Sequence, residues 1–272
     1  MDGGGFVVGF VGHWAPLERK RGRMMMVSSE GRALGGSYAP RQRRGPPTSL
    51  PEPDYSKYDE NILNVFLMAR FQRALERELD MPTEHVEFDQ IVSLSHKIRS
   101  EYNHDPLVVR QRVQAVFEDV FGGVLPMLYK SIFAERVPRI SEQLAAIATS
   151  IGSQWLMGPN ELTTQMRTVE IERCRFLEAS GCVNACVNGC KKPTEAFMSN
   201  SMGVDLYIEP NYEDFSCKFQ FGQQPPPESD DPAFGEPCFL QCPTATRAMK
   251  SDGFLLGSKC ENTPFSAPNT EL

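Results

Sequence analysis

The sequence contains no histidine after His104 and no cysteine before Cys174. The missing histidines exclude, from the C-terminal half, an iron site built from two histidines and one carboxylate. A metal ion in that half would therefore need thiolate and carboxylate ligands. All eight cysteines lie in the last hundred residues. They are too small a fraction of the chain for a disulfide-rich secreted scaffold.

Long apolar runs and basic clusters are scarce as well. The longest uncharged run, residues 143–160, contains Gln, Ser, Gly and Pro, and it falls short of the ~20 apolar residues that a transmembrane segment needs. After residue 50 the chain has 20 basic and 32 acidic residues and no dense basic run. Nucleic acid is therefore not an expected partner.

The first 56 residues have a different composition from the rest. Residues 1–50 carry eight Lys/Arg, three Asp/Glu and ten of the 21 glycines, without a sustained apolar period. This composition predicts a disordered leader over residues 1–56. An Arg-rich, acid-poor leader is typical of an organelle transit peptide, and a disordered tail or a misplaced start is the alternative.

The next hundred residues show helical periodicity. Apolar residues recur at steps of three and four, which predicts a bundle of four or five helices over residues 57–157. Asp105-Pro106 is a helix start, a capping residue followed by proline at the first helical position. The phenylalanines and methionines of these helices are expected in the core. The histidines are expected at the surface; they are His85, His96 and His104.

The remaining chain changes character after Pro159. We predict a small cysteine-rich domain over residues 158–245 and an irregular tail over 246–272. Alternating residues in Val204–Pro210 and Ser216–Gly222 predict a β-hairpin. The fold class is therefore predicted as α+β, with an N-terminal helical bundle followed by a small cysteine-rich domain that contains the hairpin.

The segment CVNACVNGC places Cys182, Cys186 and Cys190 four residues apart. On a straight α-helix these thiols would face one way, but the first and last would be about 12 Å apart along the axis. The spacing matches neither the two-residue zinc knuckle nor a standard ferredoxin run. A thiolate metal site or cluster, disulfides, and buried structural thiols all remain open.

Longer segments carry a resemblance to a known family. CRFLEASGCVNACVNGCKKPTEAF and IEPNYEDFSCKFQFGQQPPPESDDPAFGEPC, preceded by WLMGPNEL, closely resemble the C-terminal domain of the plastid β-carotene isomerases of the strigolactone pathway. The resemblance covers about residues 155–242. It implies a chloroplast protein that contains iron, for which an iron–sulfur cluster is one form, and that interconverts all-trans and 9-cis β-carotene. A carotenoid is then the expected partner, and peripheral contact with plastid membranes is compatible with it.

The resemblance also suggests site residues. Six cysteines fall on the family's cysteines, and with the nearby Cys242 they form the predicted metal-ligand set: Cys174, Cys182, Cys186, Cys190, Cys217, Cys238 and Cys242. Glu178 and Asp231 fall on acidic positions and are predicted to be catalytic. Phe219 and Phe221 are predicted to line the apolar groove that a C40 hydrocarbon needs. Their alternative interpretation is the core of the hairpin.

A trans double bond in a polyene rotates only after its π-bond order falls. One route passes an electron to or from the polyene, and iron with thiolate ligands suits it. The other route protonates the chain, for which Glu178 is the candidate acid. We expect the iron route. Two other functions remain open: a non-catalytic iron–sulfur or carotenoid-binding protein, and a thiol–disulfide redox protein.

Overall fold

The computed structural model describes residues 53–102, 105–239 and Cys242. The first part of these residues is helical, as predicted, and includes a π-helical turn after the fifth helix. The helices are α1 (Ser56–Asp59), α2 (Ile62–Leu79), α3 (Phe88–Glu101), α4 (Pro106–Phe121), α5 (Val124–Tyr129) with the π-turn Lys130–Ala134, α6 (Pro138–Gly152) and α7 (Gln154–Met157).

Helix starts follow the local chemistry of the chain. The side chain of Asp105 accepts hydrogen bonds from the amides of Leu107 and Val108 at 3.0 and 3.3 Å, which confirms the predicted start of α4. The helical periodicity of the preceding segment also predicts a helix that starts at Thr83, and this prediction is wrong, because α3 begins at Phe88. Thr83 instead binds side chains of α2, including Gln72 at 2.5 Å, and this polar contact holds the segment out of helix.

A four-stranded antiparallel sheet follows within the described residues. Its strands are β1 (Asn160–Leu162), β2 (Thr168–Ile171), β3 (Leu206–Pro210) and β4 (Cys217–Phe221), in the order β1-β2-β4-β3. The register pairs Leu206 with Phe221 and Pro210 with Cys217, which confirms the hairpin. Along β4 the residues Cys217, Phe219 and Phe221 are buried, as their shared parity predicts.

The cysteine-rich segment between β2 and β3 is more helical than predicted. It contains α8 (Arg175–Ser180), α9 (Val183–Cys186), the π-turn Val187–Lys191, α10 (Lys192–Ala196) and a further π-turn, Phe197–Met202. We call Val187–Lys191 the cysteine π-turn. Gly203 ends the run in the left-handed region, with φ of 71°, a conformation that glycine adopts without strain.

The helical and cysteine-rich parts share one hydrophobic core. Helix α4 lies against the cysteine π-turn, and the link between them is polar as well as apolar. Buried Arg110 donates to Asn188 Oδ1 at 2.7 Å and pairs with Glu228 at 2.6 Å. The mixed α+β class is thus confirmed, and the core that supports the cysteines includes residues of both parts.

Several predicted core residues are instead exposed. Phe66, Phe121 and Met127 are 61%, 45% and 58% exposed, so the expectation that helical phenylalanines and methionines are buried is wrong for them. His85 is exposed as expected, His96 is half-buried, and His104 lies outside the described residues. None of the helices that the structure describes combines the length and apolar character needed to cross a membrane.

Candidate functional site

The cysteine π-turn contains Cys190 and follows directly after Cys186, the last residue of α9. Pro193 lies just downstream, and it has no N–H with which to bond the carbonyl four residues earlier. A π-turn in front of the proline changes the hydrogen-bond pattern to i→i+5, and π-turns of this kind occur frequently at functional sites. Cys182 lies outside the cysteine π-turn, because it is the extended N-cap of α9, with φ of −146°.

Four thiols share one site, which we call the four-cysteine cluster: Cys174, Cys186, Cys190 and Cys217. Burial is the main cause that raises the pKa of Cys174 to about 11 and that of Cys186 to about 12. Burial also raises the pKa values of Cys190 and Cys217 well above the ordinary thiol value, and neighbouring thiols of the cluster add to the shift. These interactions show that the four thiols are close enough for the charge of one to oppose the ionisation of another.

Tyr212 completes the cluster from the β3–β4 connection. Its ring is buried, and a hydrogen bond from its hydroxyl lowers the pKa of Cys186 against the larger effect of burial. The pKa of Tyr212 itself is raised, chiefly by burial and then by Cys186. The resemblance to the isomerase family includes this tyrosine, but spacing alone gave no signal that it would contact a thiol.

The three cysteines of CVNACVNGC do not serve one site. Cys182 contacts Cys242, and the hydrogen bond between these thiols is the main cause that raises the pKa of Cys182 well above its ordinary value. Arg99 and half-buried His96 lie beside this pair, and burial, followed by Arg99, lowers the pKa of His96. Six of the seven predicted ligands are thus divided between a cluster of four and a pair, and the seventh is Cys238. Cys238 is half-buried near the end of the described chain.

A fully buried lysine stands next to the four-cysteine cluster. Lys191, at the end of the cysteine π-turn, pairs with Glu195 at 2.7 Å and with Asp231 at 2.8 Å. Its ammonium also donates to the carbonyl of Ile208 in β3 at 2.5 Å. Burial opposes its charge, but the pairing with Glu195 and Asp231 raises the pKa of Lys191 above the ordinary value. Lys191 in turn lowers the pKa values of Cys186 and Cys217.

Both predicted catalytic carboxylates lie in ion pairs. Glu178 binds the guanidinium of Arg173 through both oxygens, one of them at 2.8 Å. Asp231 is buried, where it pairs with Lys191 and caps the 3₁₀ turn Pro232–Phe234 through a bond from the amide of Ala233 at 3.1 Å. A carboxyl that protonates a polyene would first have to leave these partners. The catalytic role of both residues stays a prediction.

The predicted apolar lining is buried in the sheet. Phe219 pairs in register with Val169 and Ile208, and it is 4% exposed. The depression beside the β3–β4 connection has a volume of about 350 Å³ and polar walls, among them Glu209, Asn211 and Lys218. The structure therefore shows Phe219 and Phe221 as hairpin core, and their contact with substrate stays a prediction.

Metal binding at the cluster depends on how its side chains are arranged. Within the described residues, no three His, Cys, Asp or Glu side chains are arranged to hold a metal ion. Burial also favours neutral thiols, whereas a metal needs thiolates. The residues as placed do not form a ready iron site, although thiolate donors of the four-cysteine cluster have the soft character that iron–sulfur chemistry uses.

Comparisons with known proteins match this region. The family described as "Beta-carotene isomerase D27-like, C-terminal" matches residues 151–230, which include the whole four-cysteine cluster and Lys191. No solved structure matches the chain.

Two curated relatives extend the similarity beyond the matched domain. "Beta-carotene isomerase D27, chloroplastic" of Arabidopsis thaliana is 33% identical over 169 residues, which cover 59% of this chain and 62% of that protein. The protein of the same name from Medicago truncatula is 27% identical over 194 residues, covering 68% of this chain and 75% of that protein. The aligned part of this chain thus spans less than two thirds of the Arabidopsis protein. Both names place the relatives in the chloroplast, in agreement with the predicted plastid location. Residues 151–230 are thus similar to the C-terminal domain of the D27-like β-carotene isomerases, and the two relatives that carry this name are similar over a longer part of the chain.

Proposed function

We propose that the chain is a plastid carotenoid isomerase that interconverts all-trans and 9-cis β-carotene, and that it serves apocarotenoid metabolism of the strigolactone type. The observation that carries this proposal is the family match over residues 151–230, which contains all four clustered thiols. The match and the buried cluster occupy the same segment of the chain.

The four-cysteine cluster lies in a largely buried environment with charged side chains beside it. Three of the four cysteines are buried, and the ammonium of Lys191 acts on two of them, Cys186 and Cys217. Electrostatic interactions act strongly in such a setting because water does not screen them. Glu195 and Asp231 pair with Lys191 and offset its positive charge, so the four-cysteine cluster lies beside a group of buried, mutually paired charges.

Iron is part of the proposal. Bound iron would supply one-electron chemistry, and the cysteines of the four-cysteine cluster are the residues that would hold it. Binding would require these thiols to lose protons that burial retains, so iron affinity should rise steeply with pH below their raised pKa values. Iron content after anaerobic loading at several pH values measures this directly.

A thiol–disulfide redox function is less well supported. Redox-active cysteines have lowered pKa values and accessible thiols. The described cysteines show the opposite behaviour, because burial raises the pKa values of Cys174, Cys186, Cys190 and Cys217. A non-catalytic carotenoid carrier is distinguished from an isomerase only by turnover.

The test of the proposed function uses the purified full chain, loaded with iron without oxygen. Separate lipid suspensions contain all-trans or 9-cis β-carotene, and the isomers are resolved by chromatography over time. We expect both reactions to approach the same isomer ratio. Protein that binds pigment but leaves both ratios unchanged would make the chain a carrier rather than an isomerase.

A further inference from the structure

Exposed apolar side chains gather where α4 passes into α5. Phe66 of α2 is 61% exposed, and Val124, Leu125 and Met127 are 65%, 62% and 58% exposed. Together with two further exposed residues they form what we call the apolar tip: Phe66, Phe121, Val124, Leu125, Met127 and Leu128.

Hydrogen bonds hold the parts of the apolar tip together. Arg70 lies one helical turn after Phe66 on α2, and its Nε donates to the carbonyl of Val120 at 2.5 Å. This bond ties the C-terminal end of α4 to the exposed face of α2. Helix α5 begins at Val124, only three residues after α4 ends, so its exposed side chains start beside the same junction.

The apolar face of α5 points outward. At 100° per residue, Val124, Leu125 and Leu128 fall within about 100° of arc, and all three are exposed. Pro126, on the other side of the helix, is buried. A surface helix normally turns its apolar stripe inward. Contiguous exposed apolar surface of this kind marks an interaction site.

Arginines border the apolar tip. Phe66 and Ala69 share one shallow groove with Arg70, Arg73 and Arg77. The arginines are exposed at this groove, although the complete chain has a net charge of −7. Arg77 pairs with Asp119, so Arg70 and Arg73 are the like charges that a two-fold contact between copies of this chain would bring together. An anionic bilayer instead accommodates both features: apolar side chains insert below the headgroups, and guanidinium groups lie among the anionic headgroups.

We infer that the apolar tip docks peripherally on a lipid bilayer that carries anionic headgroups, with Arg70 and Arg73 at headgroup level. The surface lies outside residues 151–230, so docking is a property of the helical part rather than of the matched domain. The inference goes beyond the proposed reaction and does not depend on it, because docking requires no carotenoid. It would give an enzyme with a lipid-dissolved substrate direct access to the membrane.

Vesicle flotation of the full chain tests the inference in the absence of pigment. The vesicles are either neutral phosphatidylcholine or phosphatidylcholine with an anionic phospholipid. We expect binding to the anionic vesicles that weakens with salt. The double variant Leu125→Ser/Leu128→Ser should bind at least roughly tenfold more weakly, from the loss of two inserted leucines. Arg73→Gln should reduce the preference for anionic vesicles.

The matched control removes exposed apolar side chains elsewhere. Met81 and Val86 are 40% and 36% exposed and lie beyond the other end of α2. Met81→Ser/Val86→Ser should bind vesicles as the unchanged chain does, and circular dichroism checks that each variant is folded. If Leu125→Ser/Leu128→Ser does not fold, Val124→Ser/Met127→Ser replaces it.

Three results would overturn the inference. The unchanged chain could fail to float with anionic vesicles. The tip variant and the control variant could bind equally well. The unchanged chain could bind no vesicles and form a dimer in light scattering, with the tip variant a monomer. The apolar tip would then be a contact between copies of this chain.

Discussion

Replacing Lys191 with methionine would leave two buried carboxylates without their shared cation. Glu195 and Asp231 side chains are 2% and 1% exposed, and both lie within 2.8 Å of the ammonium. Removing one partner of a buried ion pair costs about 3–5 kcal/mol, because the remaining charge stays desolvated. Since the free energy of unfolding of a domain is about 5–15 kcal/mol, Lys191→Met should remove a large fraction of the stability. Urea unfolding followed by circular dichroism measures the loss.

Lys192 offers the matched control. Its ammonium pairs with the same Glu195 at 3.1 Å, but its side chain is 17% exposed. Lys192→Met should therefore cost about 1 kcal/mol or less. The triple variant Lys191→Met/Glu195→Gln/Asp231→Asn should recover part of the stability, because the orphaned charges are gone. A loss below about 1 kcal/mol for Lys191→Met would show that this lysine is not a buried charge centre.

Further predictions concern the thiols and the carboxylate next to them. In metal-free protein the folded-state pKa values of Cys174 and Cys186 are raised to about 11 and 12, so unfolded thiols ionise first as pH rises. The free energy of unfolding should accordingly fall by about 1.4 kcal/mol per pH unit per thiol above about pH 9. Below that pH these thiols should not change it. Denaturant titrations at pH 7 to 10.5 measure the free energy of unfolding, and the absence of a decline would contradict the burial of these thiols. Cys186→Ser should abolish iron binding, whereas Cys182→Ser should retain most of it, because the thiol of Cys182 contacts Cys242 rather than the four-cysteine cluster. Iron content is measured by elemental analysis, and an equal loss of iron in both variants would mean that Cys182 and Cys186 serve the same site. Glu178→Gln should remove activity only if the protonation route operates. On the electron-transfer route the ion pair between Glu178 and Arg173 is structural. Isomer ratios measured over time for this variant distinguish the two routes.

Elements with strong local chemistry were predictable from the sequence. The Asp105 cap fixed the start of α4, and period-two alternation located β3 and β4 within two residues. The short strand β1 and the helix α8 carry too few periodic residues to give such a signal. The start of α3 depended on contacts between Thr83 and α2, which come from tertiary structure.

The site was only partly predictable for a similar reason. Residue type and family resemblance identified the cysteines, but regular helical geometry could not anticipate the cysteine π-turn before Pro193. Nor could it anticipate that the N-cap Cys182 would meet Cys242 from a distant loop. The exposure of Phe66 was missed because periodicity shows which residues share a face, and burial depends on what covers that face.

The proposed isomerisation of β-carotene is measured most directly from both pure isomers. Iron-loaded protein is mixed with all-trans or 9-cis β-carotene in a lipid suspension without added oxidant or reductant, and the isomers are quantified over time. We expect one common isomer ratio from both directions and a loss of catalysis in Cys217→Ser. Two ratios that never change in the presence of folded, iron-loaded protein would contradict the proposal.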